Sequence, residues 1–197
     1  MKLYYWAGTR AVRPRWLLEE LAVPYELVRL DPGKEQSKDY LRIHPHGQVP
    51  ALVDGEATVH ESCAICLYAA DKFIERGLAP MHGTARRAEY YKWMVYAVAP
   101  TDPPLYAVWR SRQAGGEAAT INLKDALESV SRWSGVLEGV LSERPFFLGE
   151  SFSAVDVMLG SGVIWARSLE MLQDRPRLNA YAERLMERPA YKRAHQD

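Results

Sequence analysis

The sequence predicts two domains in series: an α/β domain over residues 1–76 and an all-helical domain over residues 84–197, joined by a linker at 77–83. Three observations predict this. Two short β-rich runs flank a helix-period stretch at the N-terminus. A proline-bounded loop, an Asp54-Gly55 turn and a helix start then follow in close succession. Beyond the Gly/Pro-rich stretch Gly77-Leu78-Ala79-Pro80-Met81-His82-Gly83, strand signals stop and apolar residues keep helical spacing.

Taken in order, Lys2 to Trp6 reads as a strand and Gly8-Thr9 as a turn. Residues 11–21 form a helix, because Val12, Trp16, Leu17, Leu18 and Leu21 recur at helical spacing, and Pro14 is tolerated near the first turn. Tyr25 to Leu30 is a second strand, so the opening is a βαβ unit with parallel strands and a right-handed crossover. A short helix over 37–43 leads into His44-Pro45-His46-Gly47-Gln48-Val49-Pro50. Val49 precedes a proline and is therefore extended, leaving its backbone to pair with an extended, peptide-like ligand. Ala51-Leu52, Asp54-Gly55 and Ala57-Thr58-Val59 form a hairpin. Glu61-Ser62 opens a helix from Cys63 to Phe73. A helix N-terminus suits a carboxylate and Glu61 suits an ammonium, which together describe an α-amino-acid end group.

In the second half, residues 84–98 are helical, and Pro100-Thr101-Asp102-Pro103-Pro104 is expected to break or kink that helix before 105–113 resume it. Gly115-Gly116 reads as a loop and 120–141 as a long helix. Ser153 and Asp156 fit a capping box, with Phe152 and Val157 as a staple, ahead of a buried helix to about Leu172. Residues 177–188 and 189–195 supply the last helices.

Composition removes several function classes. Basic and acidic residues balance at 25 each, which argues against nucleic acid as the main partner and leaves little charge repulsion against self-association. No apolar run approaches the roughly 20 residues that span a bilayer. The start Met1-Lys2-Leu3 runs into a strand rather than a signal peptide, and two cysteines do not make a secreted disulfide scaffold, so a soluble cytoplasmic protein is expected. The five histidines show no metal-ligand spacing, and His44 and His46 read as loop residues around Pro45.

Pro45-x-Gly47-x-Val49-Pro50-x-Leu52, followed by Glu61-Ser62, resembles the glutathione-site core of the glutathione S-transferase family. Gly8-Thr9-Arg10-Ala11-x-Arg13-x-x-Trp16-Leu17-Leu18-Glu19-Glu20-Leu21 is independently similar to the first turn of bacterial members, which carry serines where this chain has Thr9 and Ala11. Gly149-x-x-Phe152-Ser153-x-x-Asp156 and Arg188-Pro189-Ala190-Tyr191 extend the likeness to nearly the whole chain. The resemblance implies a thioredoxin-like βαβαββα domain followed by an all-helical one, in a cytosolic, homodimeric detoxification enzyme. It implies a cis Val49–Pro50 bond, with the Val49 backbone on the cysteinyl part of glutathione. Glu61 and Ser62 would hold the γ-glutamyl end, and Gln48 the glycyl carboxylate. Thr9, Arg10 and the start of the first helix would lower the thiol pKa. Trp6, Tyr106, Trp109 and Arg110 would shape the pocket for a small electrophile, with glutathione as co-substrate and no metal. Cys63-Ala64-Ile65-Cys66 is read as helix packing, because a redox pair in such a fold belongs in the turn after the first strand, which lacks cysteine here. The reaction would be thiolate attack on an electrophilic carbon, a peroxide or a disulfide. The alternative is a related scaffold that binds glutathione or a protein partner without efficient catalysis, a reading fed by the loss of both first-turn serines.

Overall fold

The structure is a computed structural model that describes residues 1–31, 33–113 and 123–196. It divides into two compact units, Met1–Ala79 with Arg188–Asp197, and Pro80–Glu187.

The first unit is a four-stranded mixed sheet with helices, a thioredoxin-like arrangement. Strand β1 (Lys2–Tyr5) leads to helix α1 (Val12–Leu21) and strand β2 (Glu26–Arg29). Helix α2 (Lys38–Leu41) precedes the hairpin β3 (Ala51–Asp54) and β4 (Ala57–His60), and helix α3 (Ser62–Lys72) follows. The strand order is β2-β1-β3-β4, with β1 parallel to β2 and antiparallel to β3. Leu3 and Leu52, directly opposed in register, bury one face of the sheet together with Trp16, Leu17 and Leu21 of α1 and Ile65 and Ala69 of α3. Outside this core, Tyr68 donates to Asp54 Oδ2 at 2.9 Å and Lys72 pairs with the same carboxylate, tying α3 to the hairpin turn.

The expected domain limits differ at the C-terminus. Helix α9 (Pro189–Ala194) was expected in the helical domain, yet residues from Arg188 onward belong to the first unit. The cause is specific pairing with α1. Arg188 grips Glu20 through two nitrogens at 2.6 and 2.8 Å, and the Tyr191 ring meets Trp16 edge-on at 5.0 Å.

The second unit is helical: α4 (Ala85–Tyr96), α5 (Asp102–Gln113), α6 (Leu123–Val140), α7 (Ala154–Ser168) and α8 (Pro176–Met186). Pro100 does not break the chain into separate helices. One π turn at Ala97–Thr101 absorbs it, carrying α4 into α5, and Thr101 donates its hydroxyl to the Tyr96 carbonyl at 3.0 Å. Helix α7 is apolar nearly all round and is buried accordingly. A Cβ at its Gly162 would lie 3.0 Å from Thr101 Cγ2, so the π turn and α7 approach closely there. The capping box forms, and it is more than a cap. Buried Asp156 accepts from the Ser153 amide and hydroxyl, the Phe147 amide and the Tyr181 hydroxyl, at 2.8–3.1 Å. Helix α7 ends at Ser168, short of the expected Leu172, where Glu170 turns left-handed. The expected Gly115-Gly116 loop and the start of the long helix at 120–122 lie outside the described residues.

Candidate glutathione site

Three chain segments meet at one end of the sheet, and the register dictates this. Ala51 at the start of β3 lies opposite both Tyr4, near the end of β1, and His60, at the end of β4. The turn after β1, the loop before β3 and the start of α3 therefore share an edge.

The loop before β3 is pinned from below. Ser37 caps α2, the Tyr40 carbonyl accepts from the amides of Ile43 and His44, and the Tyr40 hydroxyl donates to the Gln48 carbonyl at 2.6 Å. Gly47 has φ +58, and a Cβ there would lie 2.7 Å from the Glu35 carbonyl oxygen, so only glycine fits. The Val49–Pro50 bond is cis. Val49 packs against the cluster of Leu30, Tyr40 and Ala51, alongside Trp6. Among the described residues its backbone N–H and C=O find no backbone partner. Gln48 projects into solvent.

Helix α3 begins abruptly. Glu61, its N-cap, is exposed and holds φ 71, an uncommon conformation for a residue with a side chain. No side chain caps the helix and no acidic residue lies in its first turn. The first amides of a helix have no intrahelical acceptor, so this start presents N–H groups and a partial positive charge beside the Glu61 carboxylate. Ser62, the first helical residue, is buried at this junction.

The turn after β1 is more closed than the sequence suggests. The Thr9 hydroxyl donates to the Trp6 carbonyl at 2.7 Å and accepts from the Ala11 amide at 3.3 Å. The amides of Val12 and Arg13 bond back to the carbonyls of Thr9 and Arg10, both at 3.2 Å. The Thr9 proton and the first α1 amides are thus already engaged, while the Arg10 side chain is exposed. Trp6 is fixed by its indole N–H, which donates to the Leu30 carbonyl at 2.6 Å.

The remaining predicted residues lie on α5 in the second unit. Tyr106 and Trp109 stack with ring centroids 5.7 Å apart, and the Arg110 guanidinium sits 5.9 Å from the Tyr106 ring. All three are exposed. Cys63 and Cys66 lie on α3 and form no disulfide, and burial pushes the Cys66 thiol up. Among the described residues no group of His, Cys, Asp or Glu is arranged to hold a metal ion, and no helix is long and apolar enough to cross a membrane. Sequence reasoning missed His60, whose ring packs at a tilt against that of His44, 4.7 Å between centroids.

The family model for the glutathione S-transferase N-terminal domain matches residues 1–71, and that for the C-terminal domain matches residues 107–184. The Disulfide-bond oxidoreductase YfcG of Escherichia coli is 31% identical over 88% of this chain and 84% of its own length.

The chain belongs to the glutathione S-transferase family.

Glutathione S-transferase GST-4.5 of Xanthomonas campestris is 29% identical over 94% of this chain and 93% of its own. Among solved structures, a sphingomonad glutathione S-transferase complexed with glutathione superposes with a TM-score of 0.84, at 28% identity, over 99% of this chain and 97% of that one. The two matched domains of this glutathione S-transferase correspond to the α/β unit and to the helical unit from α5 to α8.

Proposed function

We propose that this glutathione S-transferase binds glutathione across the shared sheet end and presents its sulfur, as thiolate, to an electrophile. The observation that carries the reading is the pairing of two complementary features. The loop before β3 offers the Val49 backbone, which has no backbone partner among the described residues, and the α3 start, without a side-chain cap, lies beside Glu61. The first fits a peptide bond and the second an amino-acid head, and a γ-glutamyl peptide carries both. The sphingomonad relative is complexed with glutathione, which supports glutathione as the ligand. Gln48 is exposed on the loop and reaches toward the glycyl carboxylate.

The sulfur then falls near the turn after β1. Glutathione's thiol has an ordinary pKa of about 8.5, so the protein must stabilise the thiolate. Thr9 holds the turn with its only proton, so the Arg10 charge and the α1 dipole carry most of the stabilisation. Trp6 stands beside Val49 at the sheet end, and Tyr106, Trp109 and Arg110 remain candidates for contacts with the second substrate. A cytoplasmic homodimer is the expected working form.

A second reading is glutathione-dependent disulfide reduction. The name of the Escherichia coli relative and the engaged Thr9 hydroxyl favour it. Here the thiolate attacks a disulfide sulfur, a glutathione mixed disulfide forms, and the other sulfur leaves as thiolate. Purified protein assayed against an aryl halide, a hydroperoxide and a small symmetrical disulfide ranks the chemistries. Glutathione binding with no turnover of any of them would reduce the protein to a binding scaffold.

A further inference from the structure

We propose that His44 is a positioning residue of the glutathione cradle, and that its protonation opens the loop and weakens glutathione binding in acid. This rests on the glutathione reading above.

Three of the five histidines gather beneath the cradle. The His44 ring lies 4.7 Å from the His60 ring and 6.1 Å from the His46 ring, centroid to centroid. His44 is only 2% exposed. Its Nδ1 accepts the His46 amide at 3.3 Å, so its proton sits on Nε2 and the ring is neutral. His60 Nδ1 is buried with no hydrogen-bond partner among the described residues. The tilted contact between His44 and His60 joins the two halves of the cradle. His44 opens the loop that carries Gly47, Gln48 and Val49, and its carbonyl accepts the Gly47 amide at 2.9 Å. His60 directly precedes Glu61 and its left-handed backbone.

A second proton on His44 would turn Nδ1 from acceptor into donor, facing the His46 N–H. It would also place a charge on a buried ring in contact with His60. The groups around His44 set the direction. Burial comes first and holds its pKa below the usual histidine value, and His60 and His46 push the same way. Glu61, from the start of α3, opposes them, and from α2 the Tyr40 carbonyl accepts the His44 amide. The ring therefore stays neutral to lower pH than an ordinary histidine, and the cradle is lost only once that depressed pKa is passed. If the protonated loop does not bind, apparent affinity falls about tenfold for each pH unit below the His44 pKa.

The probe is S-methylglutathione, whose sulfur carries no titrating proton, so thiol ionisation cannot imitate the effect. Its Kd is measured by calorimetry from pH 7.5 to 5.0, with circular dichroism confirming the fold throughout. The wild type should weaken progressively as pH falls through the His44 pKa, by about tenfold for each unit below it. His44→Asn keeps a carbonyl to accept the His46 amide but does not titrate, and should stay flat within about twofold. His60→Gln removes a repulsive neighbour, so the acid loss should begin at higher pH. Should His44→Asn fail to fold, the His60→Gln shift and a proton NMR titration of the wild-type His44 ring decide. A flat wild-type profile, or a His44→Asn profile that follows the wild type, overturns the proposal. Absence of S-methylglutathione binding at pH 7.5 removes the glutathione reading itself, and this one with it.

Discussion

Replacing Thr9 separates a residue that activates sulfur from one that holds a turn. Its hydroxyl has one proton, and that proton is on the Trp6 carbonyl at 2.7 Å, while its oxygen takes the Ala11 amide at 3.3 Å. Thr9→Val keeps the volume and deletes both bonds. At about 0.5–1.5 kcal/mol each, the loss is about 1–3 kcal/mol of stability. For a chain of this size each kcal/mol moves Tm by about 2–4 °C, so a fall of roughly 4–8 °C is expected for a mid-range loss. The pKa of bound glutathione should move by less than about half a unit, because the hydroxyl gives the sulfur no proton in this arrangement. The assays are differential scanning calorimetry and the ultraviolet thiolate absorbance of bound glutathione against pH. Arg10→Ala should raise that pKa and lower turnover severalfold at neutral pH. A full-unit rise in pKa for Thr9→Val, with Tm within about 1 °C of wild type, would refute the reasoning, since it would mean that the hydroxyl swings to the sulfur at little cost.

Glu61→Gln should weaken glutathione binding by about 1.5–3 kcal/mol, roughly 10- to 150-fold by calorimetry, because it removes the charge that meets the amino group; unchanged affinity would displace the γ-glutamyl end from α3. Gly47→Ala must push against the Glu35 carbonyl at 2.7 Å in a left-handed backbone, and should cost at least about 1–2 kcal/mol in denaturant unfolding while weakening glutathione binding. Burial raises Asp156 to about 6, outweighing its four hydrogen bonds. A folded pKa above the unfolded value means that the native state holds the extra proton. That contribution is fully present below about pH 4 and is lost as pH rises through 6, amounting to about 3 kcal/mol. Asp156→Asn should remove this slope from a plot of unfolding free energy against pH, and an unaltered slope would assign it elsewhere.

What was legible in the sequence was encoded within a few residues of itself. The Asp54-Gly55 turn, the Ser153/Asp156 capping box and the βαβ opening each follow from local sterics or from side-chain bonds to nearby backbone. The glutathione-site segments were legible for the same reason: Pro50 and Gly47 constrain their own backbone, and Glu61-Ser62 marks a helix start. Other features depended on distant partners. The sequence around Pro100 warns of a break, but α7 packing against the turn, with Gly162 allowing close approach, goes with a π turn instead. The place of α9 depended on Glu20 and Trp16, some 170 residues earlier in the chain. Thr9 is a different case: its partner, the Trp6 carbonyl, is only three residues away, and the geometry of the turn rather than sequence distance decides that it takes the hydroxyl proton. His44 and His60 lie 16 positions apart, and only the pairing of Ala51 with His60 brings their rings together. Local sequence determines which conformations a segment prefers. Which donor meets which acceptor across the sheet end, and hence which groups remain to act on a ligand, was decided by tertiary packing alone.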